Sequence, residues 1–169
     1  MMEKPTLLIA STNQGKIQEM QHFLNDAPFQ ITTLQDLREK IPEPEENGET
    51  IEGVALEKAA YYAKMSGCLT LAEDSGLFID SLHGWPGAKS ARIGDASAAR
   101  IELVLRALDG RIGDERRASF RSAVAVSDPV EQTSCVSTGV SPGYILEKRA
   151  NDKYGFDYDP IFFSTEAGK

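Results

Sequence analysis

Cysteine and long apolar runs are scarce in this sequence. The two cysteines, Cys68 and Cys135, are too few for a disulfide framework, and both stand in otherwise apolar segments. We therefore expect two small buried side chains in a protein of a reducing compartment. The first apolar stretch, Thr6 to Ala10, is too short for a signal-peptide core or a membrane span. The sequence thus favours a soluble, cytoplasmic protein with no membrane partner.

Positive charge is also in deficit. The chain has 18 Lys and Arg against 26 Asp and Glu, a formal net charge of −8. A nucleic acid polymer is therefore not expected as a partner, because binding a phosphate backbone needs a basic surface. A small phosphorylated ligand is still compatible with this charge, since a few lysines and a divalent cation suffice to hold it.

What is present is typical of one α/β domain. The 169 residues are 41% hydrophobic and 26% charged, without an internal repeat or a linker. A first helix should follow residue 16, with Ile17, Met20, Phe23 and Leu24 on one face. Two more helices are predicted, at 50–66, where Gly67 would end the helix, and at 96–108. Strands are predicted at 6–11, 29–34, 69–72, 77–79, 118–126, 133–140 and 144–146.

The turn after the first predicted strand could bind phosphate. It reads Ser11-Thr12-Asn13-Gln14-Gly15-Lys16 and leads into a helix, whose first backbone N–H groups are unpaired by default. Hydroxyl, amide and lysine side chains complete such a cradle. The pattern lacks the glycine loop and Lys-Ser/Thr pair of a Walker motif, and an ordinary capped helix start reads the same way.

Acidic residues supply a second candidate site. Glu73-Asp74-Ser75-Gly76 follows an apolar strand, which places two carboxylates at the carboxyl edge of the sheet, where α/β proteins bind ligands. Such carboxylates suit Mg²⁺, although a charged β-turn reads the same way. The glutamate-rich stretch 43–52 and Lys58 are ambiguous, because solvated loops and surface lysines are common. Tyr154 to Pro160 could hold a nucleobase by aromatic stacking, or could be a turn with packed aromatics.

Taken in order, these segments resemble the inosine-triphosphate/xanthosine-triphosphate pyrophosphatases. The family's (Ser/Thr)-x-Asn-x-x-Lys opening matches residues 11–16, and its Glu-Glu-x-Gly segment matches 45–48. A helical Lys-Ala matches Lys58-Ala59, and Leu-Ala-(Asp/Glu)-Asp-Ser-Gly-Leu matches 71–77. Gly-x-Pro-Gly-x-x-Ser-Ala-Arg matches 84–92, and Gly-Phe-Gly-Tyr-Asp-Pro-x-Phe matches 155–162.

The resemblance implies an activity and a fold. The activity is hydrolysis of noncanonical purine nucleoside triphosphates (dITP, ITP and XTP) to monophosphate and pyrophosphate. The fold is α/β, an elongated mixed β-sheet with flanking helices in two lobes and the active-site cleft between them. A homodimer is expected, because the family is commonly dimeric.

The resemblance also implies residue roles. Asp74 is expected to be the general base and, with Glu46, to bind Mg²⁺. The substrate-binding residues are expected to be Ser11, Thr12, Asn13, Gln14, Gly15, Lys16, Lys58, Ser75, Phe156, Asp157, Tyr158 and Asp159. Two lysines and Mg²⁺ would neutralise the charge that develops when water attacks the α-phosphorus and expels pyrophosphate.

The sequence departs from the family in two places that bear on function. Asp157 stands where the family usually has glycine, and the chain ends before the family's Ser-His-Arg motif, which completes base recognition. His22 and His83 stand in the wrong places to replace that motif, and we expect them at the surface or in packing. We therefore interpret residues 1–169 as a single pyrophosphatase domain that lacks the usual C-terminal segment. A weak or inactive nucleotide-binding remnant, or the related septum-inhibitor nucleotide pyrophosphatases, are the alternatives.

Overall fold

The structure, a computed structural model, describes residues 4–45, 48–150 and 157–168. Within these ranges the chain forms three α-helices and one seven-stranded sheet. The helices are α1 (Gln14–Phe23), α2 (Ile51–Ser66) and α3 (Ser97–Ala107). The strands are β1 (Thr6–Ile9), β2 (Gln30–Thr33), β3 (Leu69–Ile79), β4 (Pro86–Gly87), β5 (Arg117–Asp128), β6 (Thr133–Ile145) and β7 (Phe162–Ser164).

The sheet is mixed, as the sequence predicted. Its strand order is β2-β1-β3-β5-β6-β7, with β4 paired to β3. Strand β1 runs parallel to β2 and β3, whereas β4 and β7 run antiparallel to β3 and β6. The chain divides into two compact units. The first unit consists of Met1–Asp74 and Ala123–Thr138, and the second of Ser75–Ser122 and Gly139–Lys169. One boundary between the units therefore falls inside β3.

The first unit carries the parallel strands and helices α1 and α2. Strand β1 pairs with β2 from Thr6 to Ile9 and with β3 from Leu7 to Ile9. Helix α2 begins at the N-cap Thr50, whose side chain accepts from the Gly53 N–H, and ends at Gly67 in the left-handed conformation. Both ends agree with the prediction, since a capping hydroxyl and a terminal glycine satisfy exposed backbone groups. The buried residues of α2 are Ile51, Val54, Ala55, Ala59, Tyr62 and Ala63.

The second unit is organised around one apolar cluster. Helix α3 contributes Ile101 and Val104, and the end of β3 contributes Leu77 and Ile79. The cluster is completed by Leu108, Ala118, Ile145, Tyr158 and Ile161. Arg116 is also buried, and its guanidinium donates to the carbonyl oxygens of Leu108, Arg111, Ile145 and Leu146. The buried cation therefore joins the C-terminal end of α3 to the end of β6.

Two predicted strand breaks were wrong. Residues 73–76 were placed between two predicted strands, but β3 continues through them as one strand of 11 residues. Likewise β6 continues through Ser141-Pro142-Gly143. At Gly76 an added Cβ would collide with the Gly87 carbonyl oxygen, and at Gly143 with that of Phe163. These glycines permit close approach of a neighbouring strand, a role that sequence cannot separate from turn formation.

Two predictions about burial were also wrong. Phe23 was assigned to the apolar face of α1, yet it is 83% exposed, and Ile17 is the buried residue of that helix. Cys135 was expected to be buried, but it is exposed, whereas Cys68 is half-buried; both thiols are free. Cys135 lies in the 133–140 part of β6, whose residues are all exposed, so its apolar neighbours do not form a core there. His22 and His83 are exposed.

None of the helices in the described ranges combines the length and apolar character needed to cross a membrane.

Candidate active site

The predicted phosphate cradle forms the start of α1. Asn13 is the N-cap, and its Oδ1 accepts hydrogen bonds from the N–H groups of Gly15 at 2.9 Å and Lys16 at 3.2 Å. The Asn13 N–H donates in turn to Ser11 Oγ at 3.2 Å. The expectation of open N–H groups was therefore wrong for Gly15 and Lys16, because the cap occupies them. Thr12, Asn13, Gln14 and Gly15 are exposed, and Ser11 and Lys16 are half-buried.

The Lys16 side chain turns toward strand β3. Its Nζ lies 2.6 Å from Glu73 Oε2, and the two side chains are only 21% and 10% exposed. Directly after β1, the Ala10 N–H donates to the Leu71 carbonyl at 2.7 Å, and Glu73 and Asp74 follow Leu71 in β3. The two carboxylates therefore lie inside β3, beyond its parallel pairing with β1, and not after the end of a strand as the sequence predicted.

Asp74 is the last residue of the first of the two segments that form the first unit, and its Oδ2 is buried, as is Oε2 of Glu73. A carboxylate oxygen taken out of water is costly to ionise unless a cation or a donor faces it. Lys16 provides that charge for Glu73. Lys58, on α2 in the same unit, is half-buried. The first unit therefore contains two lysines and two acidic side chains whose charges fit a phosphorylated ligand and its counter-cation.

The donor atoms also fit magnesium. Mg²⁺ takes oxygen ligands and usually binds one or two carboxylates, with waters and substrate phosphates in the other positions. Asp74 offers such a carboxylate, and Glu73 stands beside it in β3. Across the described ranges there is no group of three or more His, Cys, Asp or Glu side chains that could hold a metal by itself. Glu46, the second predicted ligand, lies outside the described residues.

The predicted base-binding segment belongs to the second unit. Phe156 lies outside the described residues. Tyr158 is 1% exposed, and its hydroxyl donates to the Ser90 carbonyl at 2.6 Å. Burial, followed by the nearby Asp157, raises the pKa of the Tyr158 phenol, which stays protonated as a donor. The phenol is thus committed to the protein interior, and the Tyr158 carbonyl accepts from the Ile161 N–H at 2.9 Å. Asp159 is exposed and Ser75 is half-buried.

Asp157 is held by α3. Arg100 donates from Nε at 2.9 Å and approaches with Nη2 at 2.8 Å, both to Asp157 Oδ1. The Ser97 hydroxyl donates to the Asp157 carbonyl at 2.8 Å. The carboxylate is therefore engaged by the protein itself, and the predicted substrate contact of Asp157 would have to be made by its other atoms.

Sequence reasoning missed three residues of this arrangement. Glu73 belongs to a recognised motif, but its ion pair with Lys16 was not predicted. Ser90 also belongs to a motif; it is buried, accepts from the Leu77 N–H at 2.8 Å and donates to the Gly87 carbonyl at 2.5 Å. Arg100 carried no signal, because an arginine on a helix is usually a surface charge.

Comparison with known proteins agrees with these observations. The Ham1 family profile matches residues 7–169. A dITP/XTP pyrophosphatase of Bacillus subtilis is 40% identical over 165 residues, covering 96% of this chain and 82% of that protein. The dITP/XTP pyrophosphatase of Geobacter sulfurreducens is 38% identical over 165 residues, covering 96% of this chain and 81% of that one.

Solved structures give the same result for the fold. A HAM1 protein from Coxiella burnetii superposes with a TM-score of 0.86 at 33% identity, over 98% of this chain and 84% of that one. The Staphylococcus aureus Ham1 protein gives a TM-score of 0.84 at 33% identity, over 97% of this chain and 83% of that one. Ordered motifs, sequence identity and fold therefore agree, and this chain belongs to the Ham1 family.

Proposed function

We propose that this chain is a nucleoside triphosphate pyrophosphatase that hydrolyses noncanonical purine nucleoside triphosphates to monophosphate and pyrophosphate. The relatives named dITP/XTP pyrophosphatase support this, and they match nearly the whole of this chain. The observation that carries the proposal is the arrangement in the first unit. There Lys16, at the start of α1, is paired with Glu73 of β3. Asp74 follows Glu73 in β3, and its Oδ2 is buried.

In the proposed reaction water attacks the α-phosphorus. A bond forms between the water oxygen and that phosphorus, and the bond to the pyrophosphate oxygen breaks. Asp74 orients the water and accepts its proton. The electron pair of the broken bond leaves on pyrophosphate, where Lys16 and Lys58 balance the negative charge. The products are the nucleoside monophosphate and pyrophosphate.

Magnesium is the proposed cofactor, held by Asp74 and Glu46. When bound, it adds positive charge beside the phosphates. Ser11, Thr12, Asn13, Gln14 and Gly15 are proposed to bind the triphosphate. Because Asn13 already caps the Gly15 and Lys16 N–H groups, these contacts fall mainly to exposed side chains and to the Lys16 ammonium. Ser75 is proposed to contact the substrate. Phe156, Asp157, Tyr158 and Asp159 are proposed to bind the base.

The proposal also covers the domain organisation, ligand class, localisation and oligomeric state of the protein. Residues 1–169 act as one catalytic domain on a small nucleotide, not on a nucleic acid polymer. Two free cysteines fit a cytoplasmic protein. The homodimeric state is proposed from the resemblance, and size-exclusion chromatography with light scattering tests it directly.

The deciding experiment is pyrophosphate release from dITP, XTP and dGTP with Mg²⁺. The wild-type chain should act on dITP and XTP, with little release from dGTP and none after metal chelation. Asp74→Asn should lower kcat by about 10²- to 10⁴-fold while dITP still binds. Asp109→Asn, an exposed acidic residue after α3, is the matched control and should leave kcat unchanged.

Two results would contradict the proposal. Turnover that survives in Asp74→Asn would mean that Asp74 is not the base. A wild-type chain that binds dITP in calorimetry but releases no pyrophosphate would instead be a nucleotide-binding protein without turnover.

A further inference from the structure

Asp157 has an unusual backbone conformation. Its φ is 46°, in the left-handed region that residues other than glycine, asparagine and aspartate rarely adopt. Such a conformation persists only where the surroundings determine it. Here three contacts do so: two from Arg100 to Oδ1 and one from the Ser97 hydroxyl to the carbonyl oxygen. The conformation of Asp157 is thus fixed by helix α3.

Arg100 also holds a second segment of the same unit. Its Nη1 donates to the Gly94 carbonyl at 2.9 Å and approaches the Ala91 carbonyl at 3.4 Å. The guanidinium therefore joins the 91–94 turn to Asp157. Its fork of donors serves both partners at once, which a lysine ammonium could not do with the same geometry. The Arg100 and Asp157 side chains are 16% and 14% exposed, so salt screens this pair little.

Tyr158, the residue after Asp157, is attached to Ser90, just before the 91–94 turn, by a separate contact. Tyr158 donates its hydroxyl to the Ser90 carbonyl, and Ser90 is itself bonded to Leu77 and Gly87. Asp157 and Tyr158 are therefore fixed at two independent points to residues 90–94. Asp159 follows directly, in a short 3₁₀ turn over Asp159–Ile161. Asp157 and Tyr158 of the proposed base-binding segment are thus attached to α3 and to residues 90–94.

We propose that Arg100 and Asp157 form a positioning pair that sets the nucleobase-binding segment and so determines the affinity for the base. This inference rests on the proposed function. The pair belongs to the second unit, whereas the residues proposed to bind the phosphates belong to the first. Breaking it should weaken substrate binding equally in the ground state and the transition state, so KM rises while kcat holds.

The test compares three variants with a matched control. Asp157→Gly keeps the backbone conformation available, since glycine accepts positive φ, and removes only the carboxylate. Arg100→Met removes the cation, and the double variant removes both. The control is Arg106→Met on the same helix, whose pair with Glu102 is 73% and 57% exposed.

We expect each single variant to raise the KM for dITP by about tenfold, with kcat essentially unchanged. The double variant should be no worse than Arg100→Met alone, because Asp157→Gly removes an interaction that this substitution has already broken. Competitive inhibition by inorganic tripolyphosphate should be unchanged in all variants, since this probe has no base. Arg106→Met should behave like the wild type.

Three results would overturn the inference. One is an unchanged KM in folded Arg100→Met. Another is a loss of tripolyphosphate inhibition by the same factor as the rise in KM, which indicates general damage. The third applies if Arg100→Met does not fold. Asp157→Gly then replaces it, and a wild-type KM in that folded variant contradicts the positioning role of the pair.

Failure of the proposed function is recognised separately, by the absence of pyrophosphate release from the wild-type chain. In that case the dissociation constant of dITP, measured by calorimetry, replaces KM. An unchanged constant in Arg100→Met would then overturn the positioning pair, whereas a tenfold increase would support it.

Discussion

Lys16 Nζ lies 2.6 Å from Glu73 Oε2, which ties the first turn of α1 to strand β3 one residue before Asp74. The long lysine side chain is thereby fixed to the residue that precedes the proposed catalytic carboxylate. A fixed ammonium loses less conformational entropy when it binds a phosphate than a mobile one does. We therefore expect Glu73 to act through Lys16, by positioning that side chain.

Lys16→Met should weaken triphosphate binding. It removes the ammonium and keeps most of the side-chain length, and a charged contact to phosphate contributes on the order of 1.5–3 kcal/mol. The dissociation constant for dITP, measured by calorimetry with Mg²⁺, should therefore rise by about tenfold or more. Lys64→Met, at an exposed position on α2, is the control. Equal affinities of Lys16→Met and Lys64→Met for dITP would show that Lys16 does not bind the triphosphate.

Gly76→Ala should destabilise the second unit strongly. The added Cβ would collide with the Gly87 carbonyl oxygen, a backbone atom that moves only if β4 moves away from β3. We expect a loss of about 3 kcal/mol or failure to fold, as for other severe core strain. Gly139→Ala is the matched control, because nothing lies within 4 Å of its Cβ position. Urea denaturation of both variants measures the difference, and equal stabilities would contradict this account of Gly76.

Ser90→Ala should also lower stability. Its hydroxyl accepts from the Leu77 N–H and donates to the Gly87 carbonyl in a site that is 3% exposed. Without the hydroxyl, two buried backbone groups lose their partner, at a cost of about 1–3 kcal/mol. The free energy of unfolding from urea titrations checks this. Ser137→Ala, at an exposed position on β6, should fall within about 0.5 kcal/mol of the wild type.

Local pattern was sufficient to predict most helices and strands. Helix α2 is bounded by Thr50 and Gly67, and both positions carry strong local signals. Helix α3 was likewise predicted to within one residue at each end. The errors at Gly76 and Gly143 share one cause. Each glycine is needed because another strand approaches, and that approach depends on residues distant in sequence, such as Gly87 and Phe163.

The candidate site could be predicted only in part, for a similar reason. Asn13 and Lys16 stand in a motif whose local geometry follows from a strand that ends before a helix start, and Asp74 follows a buried apolar run. In contrast, the Arg100–Asp157 pair joins residues 57 positions apart. Nothing local distinguishes Arg100 from Arg106, which pairs with Glu102 at the surface of the same helix. Only the tertiary structure separates a positioning arginine from a solvated one.

Tyr158→Phe should change the dependence of stability on pH. At neutral pH the variant loses the hydrogen bond to the buried Ser90 carbonyl, which should cost about 1–3 kcal/mol. The folded-state pKa of the phenol is raised above its ordinary value of 10.0, chiefly by burial. Stability from keeping the phenol neutral is therefore fully present below pH 10 and declines as the pH rises further, because the unfolded chain ionises first.

Phenylalanine has no such titration, so the stability gap between wild type and Tyr158→Phe should narrow at alkaline pH. Urea denaturation of both proteins at steps from about pH 8 to about pH 11 measures the gap. Other titrating groups are common to both chains and cancel in the difference. A gap that stays constant across this range would show that the Tyr158 phenol titrates alike in the folded and unfolded states. A narrowing gap would place the phenol in a protected interior, consistent with its donation to Ser90.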